Sequence, residues 1–227
     1  MSTSLDSLMY VPIFSDLPEE IIQKIASIGI KKKFEKDALI LVEEESGSAL
    51  FVIISGKVKV ARTSTDGREV ILSILGESDF FGEMAILDGL TRSASVIAME
   101  NSELFTIQRD DFLTLLKDHP EVSINLLQEL TRRLRNADMK IKALSLKDAE
   151  GKVATVILQL AEDIGKIKHG IVEIEKLPLQ QDLANMAGTS RETISRTLHS
   201  FAKKGLVELD GSKLRILNFE KFRETYL

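Results

Sequence analysis

Hydrophobic and polar residues alternate over short distances in the first half of the chain and recur at helical spacing in the second half. Between residues 30 and 108, runs of β-branched residues are separated by turn residues such as Asp66 and Gly67, a pair that favours a hairpin. Many short strands with regular turns predict a sandwich or barrel, preceded by a short amphipathic helix after Pro18. The clearest predicted strands are residues 51–54, 57–60, 70–75 and 95–98.

The helical spacing begins with a short helix at residues 110–119 and continues in a long helix at roughly residues 121–146. Residues 147–151 interrupt the long helix and predict a hinge, and another helix follows at residues 152–163. A helix packed on its own domain usually has a wide apolar face, whereas this seam is narrow. It therefore favours a coiled coil between two copies of the chain over packing within one copy. The seam residues, at alternating spacings of three and four, are Leu127, Leu130, Leu134, Ala137, Ile141 and Leu144.

The C-terminal part has the pattern of two helices joined by a tight turn. Residues 179–198 predict a helix, a turn at Gly188 and a second helix capped by Ser190 or Thr189. A hairpin follows, so the order is that of a winged helix-turn-helix. The inward positions of the two helices are Leu183, Ala187, Ile194 and Leu198, and the hairpin strands are residues 206–209 and 214–217.

The second of these helices carries a polar face that suits DNA. In the major groove, arginine can donate two hydrogen bonds to guanine, and glutamate can accept one from cytosine. The alternative is an ordinary solvated helix face. The glycine turn, the wing and the polar cluster together favour the DNA interface. The predicted DNA-binding residues are Gln180, Ser190, Arg191, Glu192, Thr193, Ser195, Arg196 and His199.

Composition narrows the classes of function. The chain has no cysteine, which excludes disulfides, thiolate metal sites, iron–sulfur clusters and thiol switches. The formal charge is −8 over residues 1–120 and +3 over residues 176–227, so an acidic first half precedes a basic end that suits nucleic acid. The sequence has no nucleophile–base motif, metal-spaced cluster or Walker loop, so an enzyme is not expected. Without a long apolar run or a signal-peptide pattern, we expect a cytoplasmic protein with no membrane segment.

Residues 81–96 have the features of an anion site. Gly82 permits close approach of the backbone, and the helical run after it begins with N–H groups that have no intrahelical acceptor. Arg92 can fork onto phosphate oxygens and Ser93 can add a hydroxyl, whereas the carboxylate of Glu83 suits a sugar hydroxyl. The alternative is an ordinary loop in which Glu83 and Arg92 pair with each other.

This stretch resembles the phosphate-binding cassette of cyclic-nucleotide-binding domains. The resemblance implies that Glu83 binds the ribose 2′-hydroxyl and that Arg92 binds the cyclic phosphate. Thr91 stands where many members have proline, a departure that mainly removes a fixed φ. The other ligand-binding residues that the resemblance implies in this half of the chain are Gly82, Met84, Ser93, Ala94, Val60, Leu72 and Leu75.

Nearly the whole chain, residues 10–220, resembles the catabolite-activator and fumarate–nitrate-reductase-regulator family of bacterial transcription factors. The resemblance implies an α+β fold with a cyclic-nucleotide-binding β-roll at residues 1–120, a dimerisation helix at 121–146 and a winged helix-turn-helix at 147–227. It also implies a homodimer that binds double-stranded DNA at an inverted repeat, with RNA polymerase as a further partner. Residues 190–193, Ser-Arg-Glu-Thr, followed by Arg196, match the family's recognition helix and imply half-sites with a TGA core.

The family contains several kinds of sensor. Redox sensors use cysteines, which this chain lacks, and gas sensors hold haem through His or Cys. The histidines His119, His169 and His199 lie outside the predicted β-roll strands. The leading prediction is therefore a cyclic nucleotide as effector, without a metal. The alternative is a nucleotide-independent member, or one that responds to haem, a gas or a metabolite.

The base of the effector depends on two positions of the long helix. In the catabolite activator a Thr-Ser pair contacts adenine, and alignment on the Arg-Arg-Leu run at residues 132–134 places Ala137 and Asp138 there. Ala137 lacks a hydroxyl, whereas the Asp138 carboxylate can accept from both N1–H and N2–H₂ of guanine. cAMP is the default effector and cGMP the second choice. The alternative is an exposed Asp138 that pairs with Arg135 or Lys142.

Overall fold

The short alternating runs of the first half form two four-stranded sheets. The computed structural model describes residues 7–226. The strands are β1 (Ile30–Phe34), β2 (Leu39–Leu41), β3 (Ala49–Ser55), β4 (Val58–Thr63), β5 (Glu69–Leu75), β6 (Phe80–Phe81), β7 (Ser95–Ala98) and β8 (Ser102–Gln108). One sheet has the strand order β1-β8-β3-β6 and the other β2-β7-β4-β5. The predicted α+β fold with its β-roll is confirmed, as are the four clearest strands.

The core of the β-roll forms because alternate residues of β3 and β8 point to one side. Their apolar side chains pack with those of two flanking helices, α1 (Glu19–Ile28) and α3 (Arg109–Asp118). Phe105 and Phe112 are buried in this cluster. Gly29 lies against the Phe105 ring, and a Cβ there would be only 2.1 Å from the ring atom Cζ. A larger residue at Gly29 would therefore displace part of the core.

The long helix α4 (Pro120–Leu146) confirms the longest helix that the sequence predicts. Proline is favourable at the start because the first N–H groups of a helix have no intrahelical acceptor. Val122 and Leu126 are buried in the apolar cluster of the β-roll, and Leu130 packs against the same cluster. The first turns of α4 are therefore part of the β-roll.

Helix α5 (Ala149–Ile164) begins earlier than predicted. The Asp148 carboxylate accepts a hydrogen bond from the backbone N–H of Gly151 at 2.8 Å and caps the helix. Gly151 therefore lies in the first helical turn, and the predicted hinge of residues 147–151 is reduced to Lys147 and Asp148. The cap explains the difference, because it compensates for the low helix propensity of glycine at this position.

The C-terminal elements confirm the predicted helix pair and hairpin. They are α6 (Gln180–Ala187), α7 (Arg191–Lys203), β11 (Val207–Asp210) and β12 (Lys213–Ile216). The sequence pattern did not predict three further elements, β9 (Lys166–Lys168), β10 (Ile171–Ile174) and α8 (Phe219–Tyr226). The wing is consequently part of a four-stranded sheet with the order β11-β12-β10-β9.

The chain divides into two compact units. One consists of the residues up to Arg62 together with Leu72–Arg135, and the other of Thr63–Ile71 together with Asn136–Leu227. Among the helices of residues 7–226, none has both the length and the apolar character needed to cross a membrane.

Candidate ligand site and nucleic-acid interface

Arg92 follows the short helix α2 (Glu83–Asp88) and has a fixed backbone. Its N–H donates to the carbonyl of Glu45 at 2.8 Å, and its own carbonyl accepts from the N–H of Glu44 at 2.9 Å. These two bonds tie the segment after α2 to the segment before β3. The starting point of the Arg92 side chain is therefore set by the fold.

The guanidinium of Arg92 is buried, with the residue only 6% exposed. Nη1 donates to the carbonyl of Gly82 at 2.7 Å, and Nη2 donates to the carbonyl of Ala49 at 2.9 Å. Nε is also buried and has no hydrogen-bond partner among residues 7–226. Burial lowers the pKa of Arg92, and the nearby Glu83 carboxylate opposes this effect. The result is a desolvated cation bonded to neutral carbonyls, an environment that favours an added anion.

The guanidinium of Arg92 fits into its position because two neighbouring residues are glycines, which have no Cβ. Gly82 has a φ of 86°, and a Cβ there would lie 2.8 Å from Nη1 of Arg92 and 3.0 Å from the carbonyl oxygen of Ala49. A Cβ on Gly47 would lie 2.6 Å from Cζ of Arg92 and 2.7 Å from Cβ of Ala85. The sequence pattern singled out Gly82 because it precedes a helix. It gave no signal for Gly47, which comes from a distant loop.

Glu83 pairs with a residue that the sequence pattern did not predict. It is 5% exposed, and its Oε1 accepts a hydrogen bond from Nη1 of Arg133 at 3.1 Å. The alternative raised from the sequence, an ordinary loop with a Glu83–Arg92 pair, is therefore not the arrangement found. A carboxylate has about four acceptor positions, so Glu83 can accept from Arg133 and from a ligand hydroxyl at the same time.

Arg133 connects this carboxylate to helix α4. Its Nη2 donates to the carbonyl of Phe80 at 2.8 Å, and its Nε donates to Oε1 of Glu129 at 3.0 Å. Its Cζ lies 4.3 Å from the centroid of the Phe80 ring, which adds a cation–π contact. Arg132 donates to both oxygens of Glu129 at 2.8 Å. The sequence provides one indication of this network: Arg132 and Arg133 lie off the apolar seam of α4 and are therefore available for polar contacts.

Two carboxylates near Arg133 respond to burial in opposite ways. Burial alone would raise the pKa of Glu129, but hydrogen bonds from Arg132 and Arg133 lower it overall. Burial raises the pKa of Asp79, and the hydrogen bond from the N–H of Gly76 only partly opposes this. The cations therefore favour the charged form of Glu129, whereas the charged form of Asp79 is disfavoured.

The other predicted ligand residues are distributed around the cassette and on α4. Met84 and Ser93 are exposed, with Oγ of Ser93 3.4 Å from Sδ of Met84, and Ala94 is buried. Val60 and Leu75 pack against the apolar cluster that contains Phe51 and Phe81, and Leu72 is exposed. Ala137 and Asp138 are exposed on α4. The part of the chain described here has no group of three His, Asp or Glu side chains placed to hold a metal.

The apolar seam of α4 is mostly open to solvent. Leu127, Leu134 and Ile141 follow one another at intervals of seven residues, and each is 63% exposed. Leu144 and Ala137 are exposed as well, whereas Leu130 is half-buried against the β-roll. Large apolar side chains that repeat along one helix face and remain exposed are typical of an interaction surface.

The helix-turn-helix has the local geometry that its sequence predicts. Gly188 adopts the left-handed conformation, with φ 57°, and ends α6. Ser190 is the N-cap of α7, because its Oγ accepts from the N–H of Thr193 at 3.2 Å. The predicted inward positions are confirmed as buried: Leu183, Ala187, Ile194 and Leu198.

Most of the predicted DNA-binding residues are accessible on α7. Arg191, Glu192, Arg196 and His199 are exposed, as is the cap Ser190, while Gln180, Thr193 and Ser195 are partly buried. Nδ1 of His199 donates to the carbonyl of Ser195 at 2.7 Å. The pKa of Glu192 is lowered by a backbone N–H and by the Ser190 hydroxyl, so this residue is an anion at neutral pH.

Comparisons with known proteins find matches for both parts of the chain. Residues 31–119 match the family model of the cyclic nucleotide-binding domain, and residues 151–225 match that of the Crp-like helix-turn-helix domain. The cyclic AMP receptor protein of Thermus thermophilus is 37% identical over 205 residues, covering 90% of this chain and 92% of that protein. The CRP-like cAMP-activated global transcriptional regulator of Mycobacterium tuberculosis is 36% identical over 188 residues, covering 83% and 84% of the two chains.

A solved structure supports the fold independently. The c-di-GMP responsive global regulator CLP of Xanthomonas campestris superposes with a TM-score of 0.72, covering 88% of this chain and 99% of that one. Its sequence identity is 21%, so this likeness shows the fold alone.

Proposed function

The chain belongs to the CRP/FNR family of transcriptional regulators, and we propose that it is a homodimer whose binding to DNA is controlled by a cyclic nucleotide held by Arg92 and Glu83. The buried guanidinium of Arg92 carries this proposal. Its two hydrogen bonds go to the carbonyls of Gly82 and Ala49, while the carboxylate of Glu83 is bonded to Arg133. A buried cation is costly unless an anion compensates it, and a cyclic phosphate is such an anion.

The two residues have different tasks in this site. Arg92 provides the charge that orients the cyclic phosphate, because its guanidinium is already fixed by the backbone carbonyls. Glu83 accepts a hydrogen bond from the ribose hydroxyl and at the same time remains bonded to Arg133 on α4. Binding of the sugar therefore changes the electrostatic environment of a residue on the long helix.

cAMP is the effector that we propose first. Two relatives above 35% identity are named for cAMP, and the cassette residues retain both the acidic and the basic partner. cGMP is the second candidate, because the Asp138 carboxylate can accept from both N1–H and N2–H₂ of guanine. A haem-based sensor is disfavoured, because His119, His169 and His199 lie outside the β-roll strands and His199 is engaged with Ser195.

The exposed seam of α4 supports the dimer. Leu127, Leu134 and Ile141 would be knobs of a two-stranded coiled coil, and burial of each leucine-sized side chain contributes about 1.5–3 kcal/mol. A dimer with two-fold symmetry presents two α7 helices and therefore reads an inverted repeat. Arg191, Glu192 and Arg196 are the residues that we expect to contact bases of a TGA-containing half-site. Bound at such a site, the dimer is expected to act through RNA polymerase.

Fluorescence anisotropy tests the combination of ligand and DNA. A labelled duplex with a TGA-containing inverted repeat is titrated with the protein alone and with cAMP, cGMP or a cyclic dinucleotide. We expect cAMP to increase the affinity for this duplex, and to increase it less for an unrelated duplex. Equal affinity with and without every nucleotide would contradict control by a cyclic nucleotide.

Substitution in the seam tests the dimer. Leu134→Glu places a charge at the centre of the proposed coiled coil and should yield monomers in sedimentation, with weak binding to the inverted repeat. Leu146→Glu is the matched control, because Leu146 is exposed on the same helix but lies off the seven-residue repeat. A dimer that persists in Leu134→Glu would place the interface elsewhere.

A further inference from the structure

The last helix, the recognition helix and the start of α5 meet at one carboxylate. Oε1 of Glu150 accepts hydrogen bonds from Nζ of Lys204 and from the hydroxyl of Tyr226, both at 2.6 Å. Glu150 lies in the first turn of α5, and Lys204 is the C-cap of α7. Since Tyr226 belongs to α8, the Glu150 side chain connects three helices of the C-terminal unit.

Tyr226 makes three further contacts that fix its position. Its ring lies 5.3 Å from that of Phe201 on α7 and 5.0 Å from that of Phe222, centroid to centroid. Its carbonyl accepts from Nζ of Lys147, which also donates to Oγ1 of Thr155 at 3.0 Å. The ring therefore packs on the recognition helix, while the hydroxyl and the carbonyl reach the junction between α4 and α5.

The cluster formed by Glu150, Lys204 and Tyr226 lies where a small movement can affect DNA recognition. Helix α7 has 13 residues and is about 20 Å long, with Arg191 at one end and the Lys204 contact at the other. A rotation of α7 by about 10° around the Lys204 end would move Arg191 by roughly 3 Å, which is as long as a hydrogen bond. Small changes at Glu150 can therefore decide whether side chains of α7 reach base edges.

We propose that Tyr226, acting through Glu150, is a positioning residue that sets the angle between the recognition helix and α5. The aromatic packing with Phe201 and Phe222 holds α8 in place, and the hydroxyl adds a directional bond. Substitution of the hydroxyl alone should therefore affect orientation more than folding. The inference rests on the proposed function, because it assumes that α7 reads DNA, and it assigns a residue away from the DNA-facing side to that task.

The test uses the full-length protein and separates orientation from stability. Tyr226→Phe retains the ring and removes the bond to Glu150, whereas Tyr10→Phe changes an exposed tyrosine of the other unit and serves as the matched control. Anisotropy with saturating cAMP measures affinity for the inverted repeat and for an unrelated duplex, and calorimetry measures affinity for cAMP. We expect Tyr226→Phe to lower affinity for the inverted repeat about three- to tenfold, which corresponds to the net contribution of one typical hydrogen bond. Affinity for the unrelated duplex and for cAMP should remain unchanged.

A second variant shows whether the effect passes through Glu150. Glu150→Ala should lower affinity for the inverted repeat at least as much as Tyr226→Phe, and the double variant should bind like Glu150→Ala alone. Unchanged specific affinity in Tyr226→Phe, equal losses for both duplexes, or additive effects in the double variant would each overturn the role of Tyr226. Failure of the wild-type protein to prefer the inverted repeat would instead contradict the proposed function, and with it this inference.

Discussion

The charged residues of the cassette and those of the recognition helix are in opposite environments. Arg92 and Glu83 are almost inaccessible to solvent, and their side chains are fixed by backbone carbonyls and by Arg133. Arg191 and Arg196 are exposed on α7, whose start is fixed by the Ser190 cap. One region holds its charges in place, as the proposed site for a small ligand requires, and the other presents charges that could adapt to a large partner.

The difference has an energetic reason. A small anion can make few contacts, so each must be strong, and a desolvated cation provides the strongest. DNA offers many phosphates and base edges, so many exposed side chains can each contribute a weak contact, even in the high dielectric of the solvent. We therefore expect the effect of a substitution to follow the burial of the charge that it removes.

Removal of the buried cation should have the largest effect. Arg92→Ala leaves the cyclic phosphate without its partner, and the affinity for nucleotide should fall by about 3–5 kcal/mol, which abolishes binding in practice. The protein should still fold and form dimers, because the bonds that Arg92 makes within the chain go to two carbonyls. Calorimetry measures the affinity, and sedimentation checks the assembly.

Arg62→Ala is the control for this prediction. Arg62 lies in the same unit, but its side chain is half-exposed and pairs with Glu43. Its removal should leave the affinity for nucleotide unchanged. Wild-type affinity in Arg92→Ala would show that the cassette does not bind the ligand through this residue.

A buried carboxylate should show the next largest effect, with a distinctive pH dependence. Despite burial, the folded-state pKa of Glu129 lies below the ordinary value of 4.5, because Arg132 and Arg133 donate hydrogen bonds to its carboxylate. These hydrogen bonds therefore stabilise the fold fully at pH values above 4.5, and this stabilisation is lost as the pH falls through the folded-state pKa. Glu129→Gln should therefore lower the free energy of unfolding by about 1–3 kcal/mol at neutral pH. Denaturant titrations should show the difference between variant and wild type shrinking below pH 4.5.

Asp79→Asn is the matched control with the opposite sign. The pKa of Asp79 is raised by burial, so its charged form costs stability at neutral pH. This cost shrinks as the pH falls through the raised folded-state pKa and is absent below the ordinary pKa. An asparagine can still accept from the N–H of Gly76, so the variant should be as stable as the wild type or more stable. A stability loss in Asp79→Asn similar to that in Glu129→Gln would contradict the assignment.

Removal of an exposed cation from α7 should have an effect that is at most as large, and it should fall on specificity. Arg196→Ala should weaken binding to the inverted repeat by about 1–3 kcal/mol and relax the preference at one base pair. Arg223→Ala, which removes an exposed arginine from α8, should leave the base preference unchanged. A selection of DNA sequences reports the preference, and the hypothesis fails if the selected sequences contain no palindrome.

The smallest effect is expected at Asp138. This residue is exposed on α4, so a hydrogen bond from guanine would be worth about 1 kcal/mol. Asp138→Ala should weaken cGMP more than cAMP, with cAMP as the internal control in the same calorimetric series. Equal losses for both nucleotides, or none, would show that Asp138 does not read the base and would leave cAMP as the default effector.

The sequence predicted the elements whose signals are local. Gly188 and Ser190 define the turn between α6 and α7 because their conformations depend on neighbours along the chain. The sequence pattern did not predict β9, β10 and α8, because each of these elements is short. Gly151 was misassigned to a hinge because propensity alone does not include the capping bond from Asp148.

The cassette shows the same limit at the level of side chains. The order Gly82, Glu83 and Arg92 is enough to propose an anion site with a sugar acceptor, because glycine, carboxylate and guanidinium have intrinsic chemistry. The partners of these groups come from distant segments, with Ala49 and Gly47 beside Arg92, and Arg133 beside Glu83.

The sequence by itself thus determined the family and the order of most elements, and it carries the side chains that we propose as binding groups. Only the tertiary structure decided that Arg92 lies between two glycines, that Glu83 pairs with Arg133, and that Tyr226 reaches Glu150. The physical reason is that periodicity and capping act within a few residues, whereas burial and hydrogen-bond pairing depend on segments brought together by folding. The energetic contribution of a charged side chain in this protein is therefore set by its burial and its partners, and not by its residue type.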